Sequence, residues 1–313
     1  MKRNVDTIKE YFIITEGIGL ELHPLDVTES KLKVLKEAGV SKISIGIQSF
    51  QPKFLGLLGR EANHYEEMFA NLKKVSFETV SMDFIFALPG QTIEHIKKYI
   101  EMAYRNGANH IAIYPFIDFT FTNRTFSKMS NQDKKKLLYQ MVDYCEKQGY
   151  SRDSIWTFSK DGISKYSSMT RENFLGFGCS ATTLLKDQFK INTFDVKEYI
   201  TRIEKNTLPT SLTLKFSLRQ RMVYFLFWTF YTMNFHNEDF RRFFGKKVEK
   251  YYGFEFAMGR MQVLIKKEKG GYRMITRGSF YYHFFENYYT LSYIDQMWSL
   301  MKDSPFPKEL IIK

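Results

Sequence analysis

Cysteine is scarce in this chain: 313 residues hold two, Cys145 and Cys179. A disulfide framework is therefore excluded. So is a cubane iron–sulfur cluster held by these residues alone, because such a cluster takes three or four thiolates. No apolar run approaches the roughly 18–20 residues that span a bilayer. The densest stretch, MVYFLFWTFYTMNF at 222–235, follows Arg219 and Arg221 and reads as a buried helix. The N-terminus, MKRNVDTIKEYF, lacks a signal-peptide apolar core, so the expected location is the cytoplasm. Internal repeats and low-complexity tracts are also missing.

What is present is globular in character: 44% hydrophobic and 26% charged residues. The length suits one large α/β domain or two domains. Aromatics reach 17%, with 30 Phe and 20 Tyr. They build an aromatic core, or they leave aromatic surface for a flat ligand or partner. The net charge is +12, and from residue 206 onward 17 Lys/Arg stand against 9 Asp/Glu. That excess is a solvated basic surface or a seat for an acidic ligand or nucleic acid.

The first part alternates strand and helix. GIGLELHP (17–24) reads as a strand, and Asp26 with Glu29 as a capping box for a helix over 27–38. SKISIGI (41–47) reads as a buried strand, followed by a short helix at 51–58. Asn63 and Glu66 then cap a helix to about Val75. TVSMDFIFAL (79–88) is the next strand, Thr92–Arg105 a helix, HIAIYPF (110–116) a strand, and Ser130–Lys147 a helix. Strands recurring about every 30 residues predict a parallel sheet with right-handed crossovers. Each strand reads as apolar through its length, as if covered on both faces. Polar residues sit near the C-terminal ends: Glu21, Gln48, Asp83 and Tyr114. In (β/α) barrels the site lies at that end. Residues 171–193 read as a glycine-rich loop packed against the barrel mouth, and 195–206 as a helix. Helices at 217–234 and 237–244, then a hairpin turning at Gly270-Gly271 and another helix within 262–289, predict a winged-helix-like domain. The expected division is 1–208 and 209–313.

Four strings, LKEAGVSKISIGIQSF, LLGREANHYEE, MDFIFALPGQTIE and FLGFGCSA, stand in order along the chain. Together they resemble the oxygen-independent coproporphyrinogen III oxidase group of radical SAM proteins. That group includes haem chaperones and anaerobic haem-degrading methyltransferases. The resemblance implies a partial (β/α) barrel that binds S-adenosylmethionine against a [4Fe–4S] cluster and generates a 5′-deoxyadenosyl radical. It implies that Glu21 meets the methionyl amine, Arg60 the methionyl carboxylate, Asp83 the ribose, and that Gln48 contacts the cofactor through its amide. The residue types suit those partners. Ordinary alternatives stand beside them. Glu21 is also a plain strand-end charge, and Arg60 a cation favoured by a helix C-terminus. Gln48 and Asp83 are harder to explain that way, because both lie in otherwise apolar strands.

The group's Cys-x3-Cys-x2-Cys cluster motif and its Gly-Gly-(Thr/Ser)-Pro turn do not occur in this sequence. The first barrel strands and the cluster loop are therefore expected upstream of Met1, in a longer gene product or a separate chain, unless the protein is a binding remnant. A barrel lacking those strands would expose a sheet edge, so this chain alone is expected to be poorly soluble or dependent on a partner; the missing N-terminal segment and a reductant protein are the expected partners. The expected substrate is a tetrapyrrole whose propionates suit a basic cleft, and the intact protein is expected to be an enzyme. This chain alone is expected to be inactive, for want of the three cluster cysteines. Haem binding or transfer through one of His23, His64, His95, His110, His236 or His283 is the alternative. KKEKGGYR (266–273) also suits a basic nucleic-acid-binding tip, but charged turn tips are common, and no nucleic-acid partner is expected.

Overall fold

The computed structural model describes residues 2–61, 65–119, 126–163, 166 and 172–308. By its contacts the chain divides into two compact units, Met1–Phe116 with Thr125–Ser168, and Ile117–Arg124 with Met169–Lys313.

The first unit is an α/β assembly around a mostly parallel sheet. Its helices are α1 (Lys2–Tyr11), α2 (Glu29–Glu37), α3 (Pro52–Leu57), α4 (Tyr65–Lys74), α5 (Ile93–Arg105) and α6 (Asn131–Lys147). Its strands are β1 (Ile18–Leu22), β2 (Val40–Gln48), β3 (Thr79–Phe86), β4 (His110–Pro115), β5 (Ser151–Arg152) and β6 (Thr157–Ser159). The sheet order is β1-β2-β3-β4-β6-β5. The pairs β1–β2, β2–β3 and β3–β4 are parallel, while β6 runs antiparallel to β4 and β5. The strand–helix alternation thus forms the sheet it predicts. Caps set several boundaries as the sequence indicates. Ser130 accepts from Asp133 N at the start of α6, and Thr92 with His95 closes a capping box on α5. At α2 the cap is Thr28 rather than Asp26, whose carboxylate instead pairs with Lys31. Asn63 lies outside the described residues.

The sheet faces differ from the expectation of uniformly apolar strands. One face carries Ile43, Ile45, Met82, Phe84, Ile111 and Ile113, all buried. The other carries a polar row. Glu21 pairs with Ser44, Ser44 with Ser81, Ser81 with His110, and His110 with Ser159. In a sheet, paired residues project to the same side and alternate along each strand, so these five side chains line one rung of one face. The apolar face packs helices such as α5 against β3 and β4. The polar face carries the hydroxyl, imidazole and carboxylate groups, most of them buried.

The second unit contains β7 (Thr182–Leu185), β8 (Gln188–Asn192), α7 (Val196–Glu204), β9 (Thr210–Lys215), α8 (Leu218–Tyr231), β10 (Asn234–His236), α9 (Asn237–Phe244), α10 (Glu249–Met261), β11 (Ile265–Glu268), β12 (Gly271–Met274), α11 (Thr276–Tyr289) and α12 (Asp295–Asp303). Strands β7, β8 and β9 make a three-stranded antiparallel sheet. Residues 182–192, expected as loop, are therefore a hairpin. Short strands with mixed Thr, Lys and Gln carry too little periodicity to announce it. Around α8, α9 and α10 an aromatic core gathers Phe225, Phe235, Phe240, Phe256 and Tyr272. The wing is a second three-stranded sheet, β10-β12-β11, with its turn at Gly270-Gly271 as expected. Much of the aromatic content is thus core. Among the described residues, no helix is long and apolar enough to cross a membrane.

Candidate functional site

The site is assembled at the C-terminal ends of β1 and β2 and within the C-terminal half of β3. At the end of β2 the register slips between Ile45 and Gln48, a bulge that re-aims the strand end. Gln48 itself has φ 65°, and Ser49 N–H donates to Ile47 O at 2.8 Å. This is a γ-turn centred on a non-glycine residue in the left-handed region, a conformation costing roughly 1–3 kcal/mol unless its surroundings enforce it. The surroundings do so. Ser49 is buried, its hydroxyl shares a 2.7 Å hydrogen bond with Tyr99, and its carbonyl accepts from the Tyr65 hydroxyl at 3.0 Å. Phe50 sits edge-on to Tyr65 at 5.0 Å and against Phe84 at 5.3 Å. An aromatic nest thus holds the turn rigid behind Gln48.

Arg60 reaches the same place from α3. Gly59 has φ 68°, Gly59 N–H donates to Gly56 O, and Arg60 N–H donates to Leu55 O. This is a Schellman helix ending, with Arg60 as the second residue beyond the cap. From there its Nη1 donates to the carbonyl of Gly46 at 3.1 Å. The guanidinium thus crosses to β2 rather than serving the carbonyls of its own helix. Gly46 makes room: a Cβ there would lie 3.0 Å from Gln48 Nε2 and 3.9 Å from Arg60 Nη1. The structure therefore brings Gln48 and Arg60 together over Gly46.

Asp83 lies on β3, half-buried, on the polar face. Ser44 Oγ donates to its Oδ2 at 2.8 Å and Ser81 Oγ to its Oδ1 at 3.0 Å. Ser81 Oγ in turn lies 2.9 Å from His110 Nδ1. A serine hydroxyl has one proton. If Ser81 gives it to Asp83, His110 must donate through Nδ1, which sets its tautomer. Burial pushes the Asp83 carboxyl up to about 6; the two serine hydroxyls oppose the rise, and the Glu21 carboxylate adds to it. Glu21 is exposed at the rim, in register with Ser44. The result is two carboxylates near one another, an amide and a guanidinium, spread over three adjacent strand ends. Such a set can receive a group with a cation and hydroxyls on one side and a carboxylate on the other.

Sequence reasoning missed the supporting shell of Ser44, Ser81 and His110. The signal was available in the period-2 alternation of SKISIG and SMDF, in which every second residue is small or polar. The two cysteines do not join this group. Cys145 is buried on α6, with burial pushing its thiol up to about 12. Cys179 lies in the second unit and donates its thiol to Thr193 O at 3.1 Å. Among the described residues no cluster of His, Cys, Asp and Glu is spaced to hold a metal. Four of the histidines have local structural partners. His23 accepts from Leu25 N, His95 caps α5, His110 bonds Ser81, and His283 faces Glu286. His64 lies outside the described residues.

Comparison with known proteins agrees with the resemblance noted in the sequence. Residues 2–103 match the radical SAM superfamily. The heme chaperone HemW of Bacillus subtilis is 29% identical over 202 residues, covering 61% of this chain and 53% of its own. HemW of Lactococcus lactis is 31% identical over 185 residues, 55% of this chain and 48% of its own. The oxygen-independent coproporphyrinogen III oxidase of a Synechocystis species is 21% identical over 238 residues, covering 68% and 51%. The chain thus spans about half the length of the curated relatives it matches. Among solved structures, coproporphyrinogen III oxidase HemN of Escherichia coli superposes with a TM-score of 0.73 at 15% identity, over 90% of this chain and 71% of that one. The fold is accordingly that of HemN, and the first third of the chain matches the radical SAM superfamily.

Proposed function

We propose that this radical SAM chain holds S-adenosylmethionine across its polar sheet face and belongs to a protein that acts on a tetrapyrrole. The observation that supports the reading most is the gathering of Glu21, Gln48 and Asp83 on three adjacent strands, with Arg60 crossing from beyond α3 to Gly46 of β2. In this assignment Arg60 pairs with the methionyl carboxylate and Glu21 with the methionyl ammonium. Asp83, its two oxygens already fixed by Ser44 and Ser81, accepts from the ribose hydroxyls. Gln48 supplies an amide to the same ligand.

When bound, S-adenosylmethionine supplies a sulfonium whose reductive cleavage yields a carbon radical. The cluster that the superfamily uses for that reduction does not fit this chain's own residues, which offer two thiols in separate units. What these residues do is bind and orient. Rigid strand ends and an enforced γ-turn fix the donors and acceptors before the ligand arrives, which limits the ordering cost of binding.

Titration calorimetry with S-adenosylhomocysteine tests the reading. Saturable binding to the full chain is expected, and Arg60→Met should weaken it at least tenfold. Equal heats for the two proteins would refute the assignment. The HemW relatives, named as heme chaperones, motivate a second reading, haem binding and transfer. A saturable Soret shift on adding haem would support it; no shift would remove it.

A further inference from the structure

We propose that Tyr166 is a ligand-contacting residue of this site, its phenol donating a hydrogen bond to the molecule held between Glu21 and Asp83. The inference rests on the reading of the site given above and adds a wall that neither the strand pattern nor the motifs indicate. Tyr166 belongs to the same compact unit as the four strand-end residues. Its ring lies against Gly19 of β1, two residues before Glu21 and on the same sheet face. A Cβ on Gly19 would stand 2.9 Å from Tyr166 Cε2 and 3.5 Å from Cδ2, so only glycine admits the ring at this spot. The ring therefore covers the N-terminal side of the rung that carries Glu21 and Ser44.

The phenol sits close enough to Glu21, Asp83 and Tyr114 to feel their charge. Burial comes first, and these neighbours second, in driving its pKa far above the ordinary tyrosine range. It is a proton donor at every physiological pH. No described residue accepts a hydrogen bond from it. An acceptor atom of a ligand placed beside this phenol would accept the hydrogen bond it donates. Two carboxylates and a guanidinium recognise the charged and hydroxylic parts of a nucleoside-bearing amino acid. Beyond the Gln48 amide, they leave its neutral acceptors, ring nitrogens and ether oxygen, without a further donor. Tyr166 supplies one, together with an aromatic face.

The test places 3-fluorotyrosine at position 166 of the full chain and follows its 19F resonance. Gly19→Ala should move the resonance without any ligand, because the new methyl displaces the ring. S-adenosylhomocysteine should move it in the otherwise unaltered protein. Tyr166→Phe should weaken S-adenosylhomocysteine binding about 5- to 10-fold, as loss of one hydrogen bond does. Calorimetric binding with an unmoved fluorine signal, or unchanged affinity in Tyr166→Phe, would overturn this inference and leave the reading of the site standing. No binding heat at all would overturn the reading of the site, and this inference with it.

Discussion

Asp83→Asn is the substitution in which stability and binding should part most clearly. In the folded chain the Asp83 carboxyl titrates at about 6 against an ordinary value of 3.8. The fold therefore favours the protonated form. Stability from this group is fully present below pH 3.8 and is lost as pH rises through 6. A difference of about 2 pKa units corresponds to about 3 kcal/mol at most. The carboxylate is only half-buried, so about 2 kcal/mol is the fairer figure. Asn keeps the shape, stays neutral at all pH, and still offers Ser44 and Ser81 a hydrogen-bonding partner. The variant should match the parent near pH 4, exceed it by about 1 kcal/mol at pH 5, and exceed it by about 2 kcal/mol at pH 7.5. Urea denaturation at these three pH values measures the gap, and calorimetry with S-adenosylhomocysteine should show binding lost. A variant less stable than the parent at pH 7.5, or a gap that does not widen with pH, would refute the account of a carboxylate held in the site against its own solvation.

Three further outcomes are expected. Gln48→Gly should stabilise the fold by up to about 1 kcal/mol, since glycine relieves the left-handed γ-turn, while weakening S-adenosylhomocysteine binding; a less stable variant would mean that the turn is not strained. Arg60→Met changes an exposed side chain, so its denaturation midpoint should move by less than about 0.5 kcal/mol while its ligand affinity falls at least tenfold. Phe84→Ala empties a fully buried position whose ring stacks on Tyr99 at 5.5 Å. It should cost about 3–5 kcal/mol in thermal or urea unfolding, and a loss under 1 kcal/mol would show that the aromatic nest behind Gln48 is not tightly packed.

Several features of the site could be read before any coordinates. Gln48 and Asp83 stood out as polar residues in apolar strands, and the LLGR string announced a helix stop with an arginine just beyond it. The β1-to-α6 alternation, the caps on α5 and α6, and the wing turn at Gly270-Gly271 were equally legible, because each depends on residues within one turn or one strand. The strands between 182 and 192 were not, since their mixed Thr, Lys and Gln residues carry too little alternation to announce the β7–β8 hairpin, and the outer partner of β8, strand β9, lies about 20 residues further on. The roles of Ser44, Ser81 and His110 stayed hidden for the same reason: a serine is chemically unremarkable until a neighbouring strand places it beside a carboxylate.

The sequence by itself determined the β1-to-α6 alternation of strands and helices and the identity of the charged groups near the strand ends. These follow from periodicity, capping and residue chemistry, all of which act over a few residues. Only the tertiary structure decided that one sheet face is a polar rung, that Arg60 crosses from α3 to Gly46, and that Asp83 is held by two serines and lifted towards neutrality. Those outcomes depend on the register between strands 20 to 40 residues apart, where a slip of one residue would turn every side chain to the opposite face.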